Sequence, residues 1–475
     1  MQAIKPTKIR MPRGMSWVIL AAILFLMLTS LRMTESTSRV VVLVRDNFLG
    51  PVRAALFYLR WVPLFVLGAA ALAIAVWNRS LPRLPNRVDA VILVFIGLAL
   101  LSALYSIDPE ISVLRGLSVL LMYGAVFWGV WIYADEFGAA AVMRIMVAAA
   151  GIVIGLHVVV ALFDLSGSFP YSGRFRGWAL NPGTTAGEVA LLLPLALWHA
   201  LGRPRWQHWM LVGTMILVLI LSQTRSEIFA ALVGSLYFLL RVRSHRKLFV
   251  IFSGVAVLVV SLAWVEIGPR IFFRPVSNAQ MPVALDEDTL VADGEETEVG
   301  EEQVTGNREP WYRRHNSRTF TATTLALRTT KWALGVKYFL ERPLLGFGFG
   351  TEEQLFALHG EDEHTYQTSG AYMHNSYLGL ALQLGLFGAA LFYVPLGLLT
   401  LREIRFATCP QSNLMRSALL GVVLTGMVAG LTASDLYSMG NPKCFVFWTS
   451  TLLLVRCHYA KESRGLPCGV QGPGD

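Results

Sequence analysis

Long apolar runs separated by short polar stretches fill most of this chain. A helix needs about 20 apolar residues to cross a bilayer, somewhat fewer where the layer thins. Runs of that kind lie near 14–33, 54–77, 88–105, 117–134, 141–164, 185–201, 208–222, 226–240, 247–267, 374–401, 417–434 and 443–456, twelve in all. The pattern predicts an all-α polytopic membrane protein. Nine spans occupy 1–267, one large partly helical outer loop covers 268–373, three spans follow in 374–456, and 457–475 is a tail. The first run follows Lys5, Lys8, Arg10 and Arg13, but it is long and further spans come after it, so it reads as a retained helix rather than a cleaved signal.

Composition agrees with the pattern: 55% of the 475 residues are hydrophobic and 15% charged, too apolar for a water-soluble core. The short loops set the orientation, because lysine and arginine concentrate on the cytoplasmic side. The basic head, Arg79, Arg83 and Arg87, Arg203 and Arg205, Arg241 to Lys247, Arg402, Arg405 and Arg416, and the tail all fall on one side. That side is read as the cytoplasm, and it holds both termini. The stretch 39–60 is discordant and reads as a surface or re-entrant segment. The net charge of +9 needs no nucleic-acid partner, since most of it is this inside bias. Four scattered cysteines show no disulfide framework or metal spacing, and no internal repeat of the transporter kind is visible.

With orientation set, the unusual polar residues gather on the outer face. Arg115 enters the fourth apolar run, where a snorkelling arginine is the simpler account and contact with a ligand the other. The loop from Phe169 to Gly183 mixes Arg174 and Arg176 with aromatic and turn residues, and guanidinium forks suit phosphate oxygens. Arg225 sits in a junction of five residues between two spans, where a charge is a candidate for function, although Glu227 could make the pair structural. In the large loop, an acidic insertion over 284–306 carries nine carboxylates and no base within 286–302, and reads as a solvated, disordered segment. Beyond it, Leu325, Arg328, Trp332, Gly335 and Phe339 share one face of an expected helix. Pro343 to Gly350 is a glycine-rich turn that lets backbone approach a ligand or a neighbouring helix. His359 and His364, near Glu361 to Glu363, read as solvated loop residues rather than metal ligands.

The stretch that organises all of this begins at Met373-His374-Asn375-Ser376 and runs into a long apolar helix. Asn375 or Ser376 is the expected N-cap, which puts His374 at the positive end of the helix dipole and favours a neutral imidazole. On a regular wheel Ala381, Gly385 and Gly388 fall below His374 on one stripe, leaving a smooth groove or a close helix contact.

His374-Asn375, nine residues, Gly385, two residues and Gly388 resemble in full the outer-face motif of the O-antigen ligase and polymerase family of bacterial envelope glycosyltransferases. Thr224-Arg225, Arg328 to Trp332, Pro343 to Gly350, and Arg176-Gly177 through Asn181-Pro182 fall in the order that family shows, so the likeness covers roughly 170–400. The acidic insertion departs from the family, as does glycine at 183 where a second asparagine is common. The resemblance implies a GT-C-like membrane fold in the bacterial inner membrane, with a metal-independent and cofactor-free inverting transfer at its periplasmic face. It implies that Arg225 and Arg328 bind the diphosphate of an undecaprenyl-diphosphate-linked glycan, that Arg174 or Arg176 assists, and that His374 activates the acceptor hydroxyl. Asn375, Gly385 and Gly388 would support the motif. The implied partners are that donor, a glycan or lipid A-core acceptor, and membrane lipids. A repeat-unit polymerase of the same family, and a transporter or flippase of lipid-linked glycans, are the competing expectations.

Overall fold

The computed structural model describes residues 11–28, 59–79, 81, 83, 85–169, 174–179, 181–242, 254, 322–359, 373–406 and 414–462, without the side chains of residues 13, 28, 166, 322–330, 359 and 458–462. The expected span 247–267 (Gly254 apart), the acidic insertion 284–306, most of 34–60, His364 and the side chain of His359 lie outside that description. The chain packs as two compact units, Met1–Ser253 with Leu327–Asp475, and Gly254–Ala326. The fold described below is that of the first.

Every regular element among the described residues is helical. In chain order they are α1 (Arg13–Leu28), α2 (Val62–Asn78), α3 (Arg87–Leu101), α4 (Pro109–Tyr123), α5 (Trp131–Phe137), α6 (Ala139–Phe163), the single turn α7 (Leu165–Ser168) and α8 (Pro182–Gly202). They continue with α9 (Trp206–Ser222), α10 (Arg225–Arg241), α11 (Ala322–Glu341), α12 (Glu352–His359), α13 (Ser376–Phe406), α14 (Leu414–Ala429) and α15 (Pro442–Glu462). A π-helical segment, Gly124–Val130, joins α4 to α5. Each expected span that falls on described residues overlaps one of these helices. Among the described residues, five stretches are long and apolar enough to cross a membrane: Arg87–Leu104, Pro109–Phe137, Ala139–Phe163, Pro182–Gly202 and Ser376–Arg405. Four more, Gly14–Met27, Val62–Asn78, Trp206–Ser222 and Leu414–Ala429, are apolar but shorter.

The helix starts follow from local chemistry. Asn86 and Asp89 form a reciprocal capping box on α3, Asp108 accepts the Ile111 N–H at the start of α4, and Asn181 caps α8 with Pro182 in its first turn. Packing then sorts the helices. Of its apolar window, α8 buries 78% and α3 only 28%, so α8 is central and α3 peripheral. Exposed Leu93, Val94 and Leu101 on α3 suit a hydrocarbon surround. α10 and α14 cross closely, so that a Cβ on Gly234 would lie 2.3 Å from the Gly421 carbonyl oxygen. Small residues at such crossings let backbones approach in the way membrane helices favour. Near the start of α3 a buried Arg83–Asp89 pair is completed by the Tyr123 hydroxyl at 2.9 Å and sandwiched by Trp128 and Trp131, each 4.4 Å from the guanidinium. Burial of an arginine there is compensated on every side.

One expectation is overturned. The helix after His374 is not a single regular rod, because Gly385 adopts φ 64° and ψ −168° and breaks α13. The wheel that placed Ala381, Gly385 and Gly388 on one stripe below His374 therefore does not hold. A break exposes backbone groups that hydrocarbon cannot satisfy. The glycine-rich turn supplies their partners: Phe347 N–H donates to the Leu382 carbonyl (3.1 Å), Gly348 N–H to Gln383 (2.9 Å), and Leu386 N–H donates to the Pro343 carbonyl (2.8 Å). A Cβ at Gly385 would sit 2.2 Å from the Leu344 carbonyl, and Gly388 has Leu384 across the break at 2.2 Å. Both motif glycines serve the break rather than floor a groove.

Candidate functional site

The first turns of α8, α10, α12 and α15, the second turn of α4, His374 two residues before α13, and the 430–441 segment after α14 meet and enclose a polar cavity of about 180 Å³. His374 lines it, with Arg115 from α4, Asn181 and Thr184 from α8, Thr224, Ser226 and Glu227 from α10, Glu352 and Gln383, Asp435 and Tyr437, and Lys443 from α15. Helix N-termini point orphan N–H groups outward, so their convergence favours negative charge in the space between them.

His374 is fixed by its neighbours. Its φ is +49°, a left-handed conformation uncommon outside glycine. Asn375, of the two candidates, is the cap: its side-chain oxygen accepts from Tyr377 N–H (2.9 Å) and Leu378 N–H (3.0 Å). Behind it, Ser376 N–H donates to the Gly430 carbonyl (2.7 Å) and the Ser376 hydroxyl to Ala433 (2.6 Å). Ahead of it, the Trp332 indole donates to the Met373 carbonyl at 2.8 Å, and the Met373 N–H donates to the Glu352 carboxylate. Trp332 and Gly335 on α11, expected to share a face, do face this segment.

The charged groups divide into committed and uncommitted. Lys443 pairs with Asp435, which also accepts from Asn441 at 3.2 Å, and Gly187 leaves room for Lys443 beside the Glu227 carboxyl. Glu352 is buried and accepts from Met373 N–H, from Gln383 Nε2 at 3.1 Å and from the Tyr437 hydroxyl at 3.4 Å. Burial pushes the Glu352 carboxyl up to about 7, against the lowering pull of those donors and of Lys331. Burial and the Glu352 charge likewise hold the Tyr437 phenol well above its usual range, so it stays a donor. Arg115 is half-buried, and among the described residues its guanidinium has no hydrogen-bond or ion-pair partner. Its stem crosses beneath Gly350, where a Cβ would meet the Arg115 Cγ at 2.3 Å.

The arginines expected at the site are placed differently from one another. Arg225 begins α10, half-buried between the lining residues Thr224 and Ser226, but does not itself line the cavity. Arg174 donates to the Ser222 carbonyl (3.0 Å) and to the Thr224 hydroxyl (2.8 Å), latching the loop onto the end of α9. Arg176 donates to the Gly167 carbonyl at 2.6 Å, fastening that loop to α7. Arg328 stands one turn before Trp332 on α11, and its side chain lies outside the described residues. The structure therefore brings His374 and Arg115 to one cavity with Arg225 beside it. Lys443, Glu352, Gln383, Asp435 and Tyr437 escaped sequence reasoning. The available signal was the one that marked Arg225, a charged residue at the outer edge of an apolar run. Among the described residues no three or more histidine, cysteine, aspartate and glutamate side chains are grouped so as to hold a metal ion.

The fold and the site together define a helical, membrane-embedded protein with a polar cavity that carries both cationic and anionic side chains. Residues 210–393 match the family model described as O-Antigen ligase (Wzy_C), which supports the O-antigen ligase family for this chain and associates it with lipopolysaccharide biosynthesis. The match contains Arg225, Arg328, the glycine-rich turn and the whole His374–Gly388 motif. It supports glycan transfer of the O-antigen ligase or polymerase kind in general terms. No curated protein matches the chain significantly.

Proposed function

We propose that this protein is an inner-membrane glycosyltransferase that moves a glycan from an undecaprenyl diphosphate carrier to an acceptor hydroxyl at the periplasmic face, with lipid A-core as acceptor. The observation that carries the reading is one cavity that holds His374, which lies in the family-matched segment 210–393, together with the uncommitted Arg115 from α4. Nucleotide sugars are not supplied outside the cytoplasm, so the donor arrives already activated on a lipid. As the anomeric carbon–oxygen bond breaks, negative charge grows on the departing diphosphate. Fixed guanidinium groups stabilise that charge, and losing one such group costs about 3 kcal/mol, roughly a hundredfold in rate. Arg115 serves here with Arg225 and Arg328, while Arg174 and Arg176 hold the loop that frames the cavity. The acceptor oxygen attacks from the opposite face, its proton passes to His374, and the configuration at the anomeric carbon inverts.

The test is reconstitution with a synthetic lipid-linked repeat unit, with and without lipid A-core, followed by product sizing. One transfer to core is expected; laddered product without core would instead make the protein the polymerase of the same family. His374→Ala is expected to lower transfer by about a hundredfold or more with membrane insertion retained. Near-normal product from that variant would remove His374 from the reaction.

A further inference from the structure

Glu352 is 2% exposed, yet it borders the cavity and carries a carboxylate where a hydrocarbon side chain would fill the same space. Its three donors come from three different parts of the chain: the Met373 backbone, the Gln383 amide and the Tyr437 hydroxyl. The orientation of Gln383 follows from its other contact. Gln383 Oε1 accepts from Gly350 N–H at 2.7 Å, which turns its NH₂ toward Glu352. Gln383 stands two residues before the break at Gly385, with its carbonyl already taken by Gly348. A continuous chain of hydrogen bonds thus runs from the helix break, through Gln383 and Glu352, to the amide that immediately precedes His374. Gly379 leaves the room this requires, since a Cβ there would lie 2.3 Å from the Tyr437 hydroxyl and 2.9 Å from the carboxylate.

The conformation of His374 explains what such a chain is for. A left-handed residue with a side chain costs roughly 1–2 kcal/mol and persists where its flanking peptides are held. The peptide before His374 is held through the Met373 carbonyl by Trp332, and the next peptides out on either side are held by Glu352, through the Met373 N–H, and by Gly430, through the Ser376 N–H.

We propose that Glu352, oriented by Gln383, is the positioning residue for His374: it fixes the backbone that aims the imidazole into the cavity. This rests on the reading of His374 as the group that takes the acceptor proton. The carboxylate acts on the Met373 peptide and takes no part in the transfer itself.

Exchanging the two side chains provides the test. In Glu352→Gln/Gln383→Glu, the new amide at 352 accepts from Met373 and donates to the new carboxylate at 383, which accepts from Gly350 and Tyr437. Every hydrogen bond is restored while the charge moves to the other residue. Wild type, Glu352→Ala and the exchange variant are compared in nanodiscs by hydrogen exchange of the peptide containing Met373, and by steady-state transfer from the lipid-linked donor. Glu352→Ala is expected to speed exchange at Met373 by about tenfold or more and to lower kcat by about tenfold to a hundredfold with donor KM within about twofold. The exchange variant is expected to return both to within about threefold of wild type. Unchanged amide exchange in Glu352→Ala overturns the proposal. So does an exchange variant that regains amide protection but not kcat, because the carboxylate would then be needed at 352 for the chemistry. If Glu352→Ala does not insert, the exchange variant still tests the proposal: amide protection and kcat both within about threefold of wild type support it, and protection without kcat overturns it. Absence of transfer by wild type removes the functional reading alone, and the amide exchange still judges the positioning role.

Discussion

Arg115 and Glu352 both border the cavity, and neither environment is announced by the residues next to it in the chain. An arginine near the mouth of an apolar run ordinarily lays its stem along hydrocarbon and its head in water. Here the stem passes under Gly350 and the head faces a cavity. Arg115→Gln is therefore expected to reduce transfer by about a hundredfold, with Arg115→Lys recovering part of it because a point charge replaces a fork. Steady-state kinetics against donor concentration checks this, and unchanged kcat/KM would remove Arg115 from phosphate binding. Glu352 makes a separate prediction about pH. Its folded-state value is raised from 4.5 to about 7, so the folded protein keeps the proton longer than the unfolded chain does. The stability this contributes is fully present below about 4.5 and is lost as pH rises through about 7. Thermal unfolding in detergent across that window should show Tm falling with pH, and Glu352→Gln should flatten the dependence.

Two elements depend on each other: the broken helix α13 and the glycine-rich turn that repairs it. The turn's backbone groups replace the intrahelical partners lost at Gly385, so neither segment satisfies its own hydrogen bonds without the other. Gly385→Ala meets both a left-handed φ and the Leu344 carbonyl, and the expected loss is about 3 kcal/mol or more. Gly397, later in the same helix, has no atom within 4 Å of a Cβ built on it. Gly397→Ala should accordingly be neutral or slightly stabilising, since alanine is the better helix former. Thermal melts of the two variants side by side check the contrast. Equal stabilities would mean that the break is not required by the fold.

For the whole molecule, the arrangement of helices makes one end the working end. Gln223, beside the lining residue Thr224, and Gly202, at the far terminus of α8, are both exposed and belong to opposite ends of the bundle. In a background without native cysteines, Gln223→Cys is expected to react with a membrane-impermeant maleimide in intact spheroplasts, and Gly202→Cys only after permeabilisation. The reverse pattern would place the cavity on the cytoplasmic side and remove the lipid-linked donor from the argument.

Hydropathy is a local property, and what it reports was legible in the chain alone: an all-helical chain with apolar helices long enough to cross a membrane, and alongside it the motif that the family match at 210–393 contains, with Asn375 or Ser376 as its cap. The glycine-rich turn ending at Gly350 was also visible, because glycine declares its freedom there, whereas Gly385 read as one position of a regular helix and broke it instead. What a side chain meets is not local. Arg115, Glu352, Asp435 and Lys443 lie far apart in the sequence, and each taken singly reads as a charge at a helix edge. Only the packing of α4, α8, α10, α13 and α15 brings those edges together, and only the strand of backbone from Pro343 to Gly350 decides that the helix below His374 must break. Hydrogen bonds in an apolar surround must be closed within the protein, and which groups close them is settled by three-dimensional proximity, which the order of residues does not state.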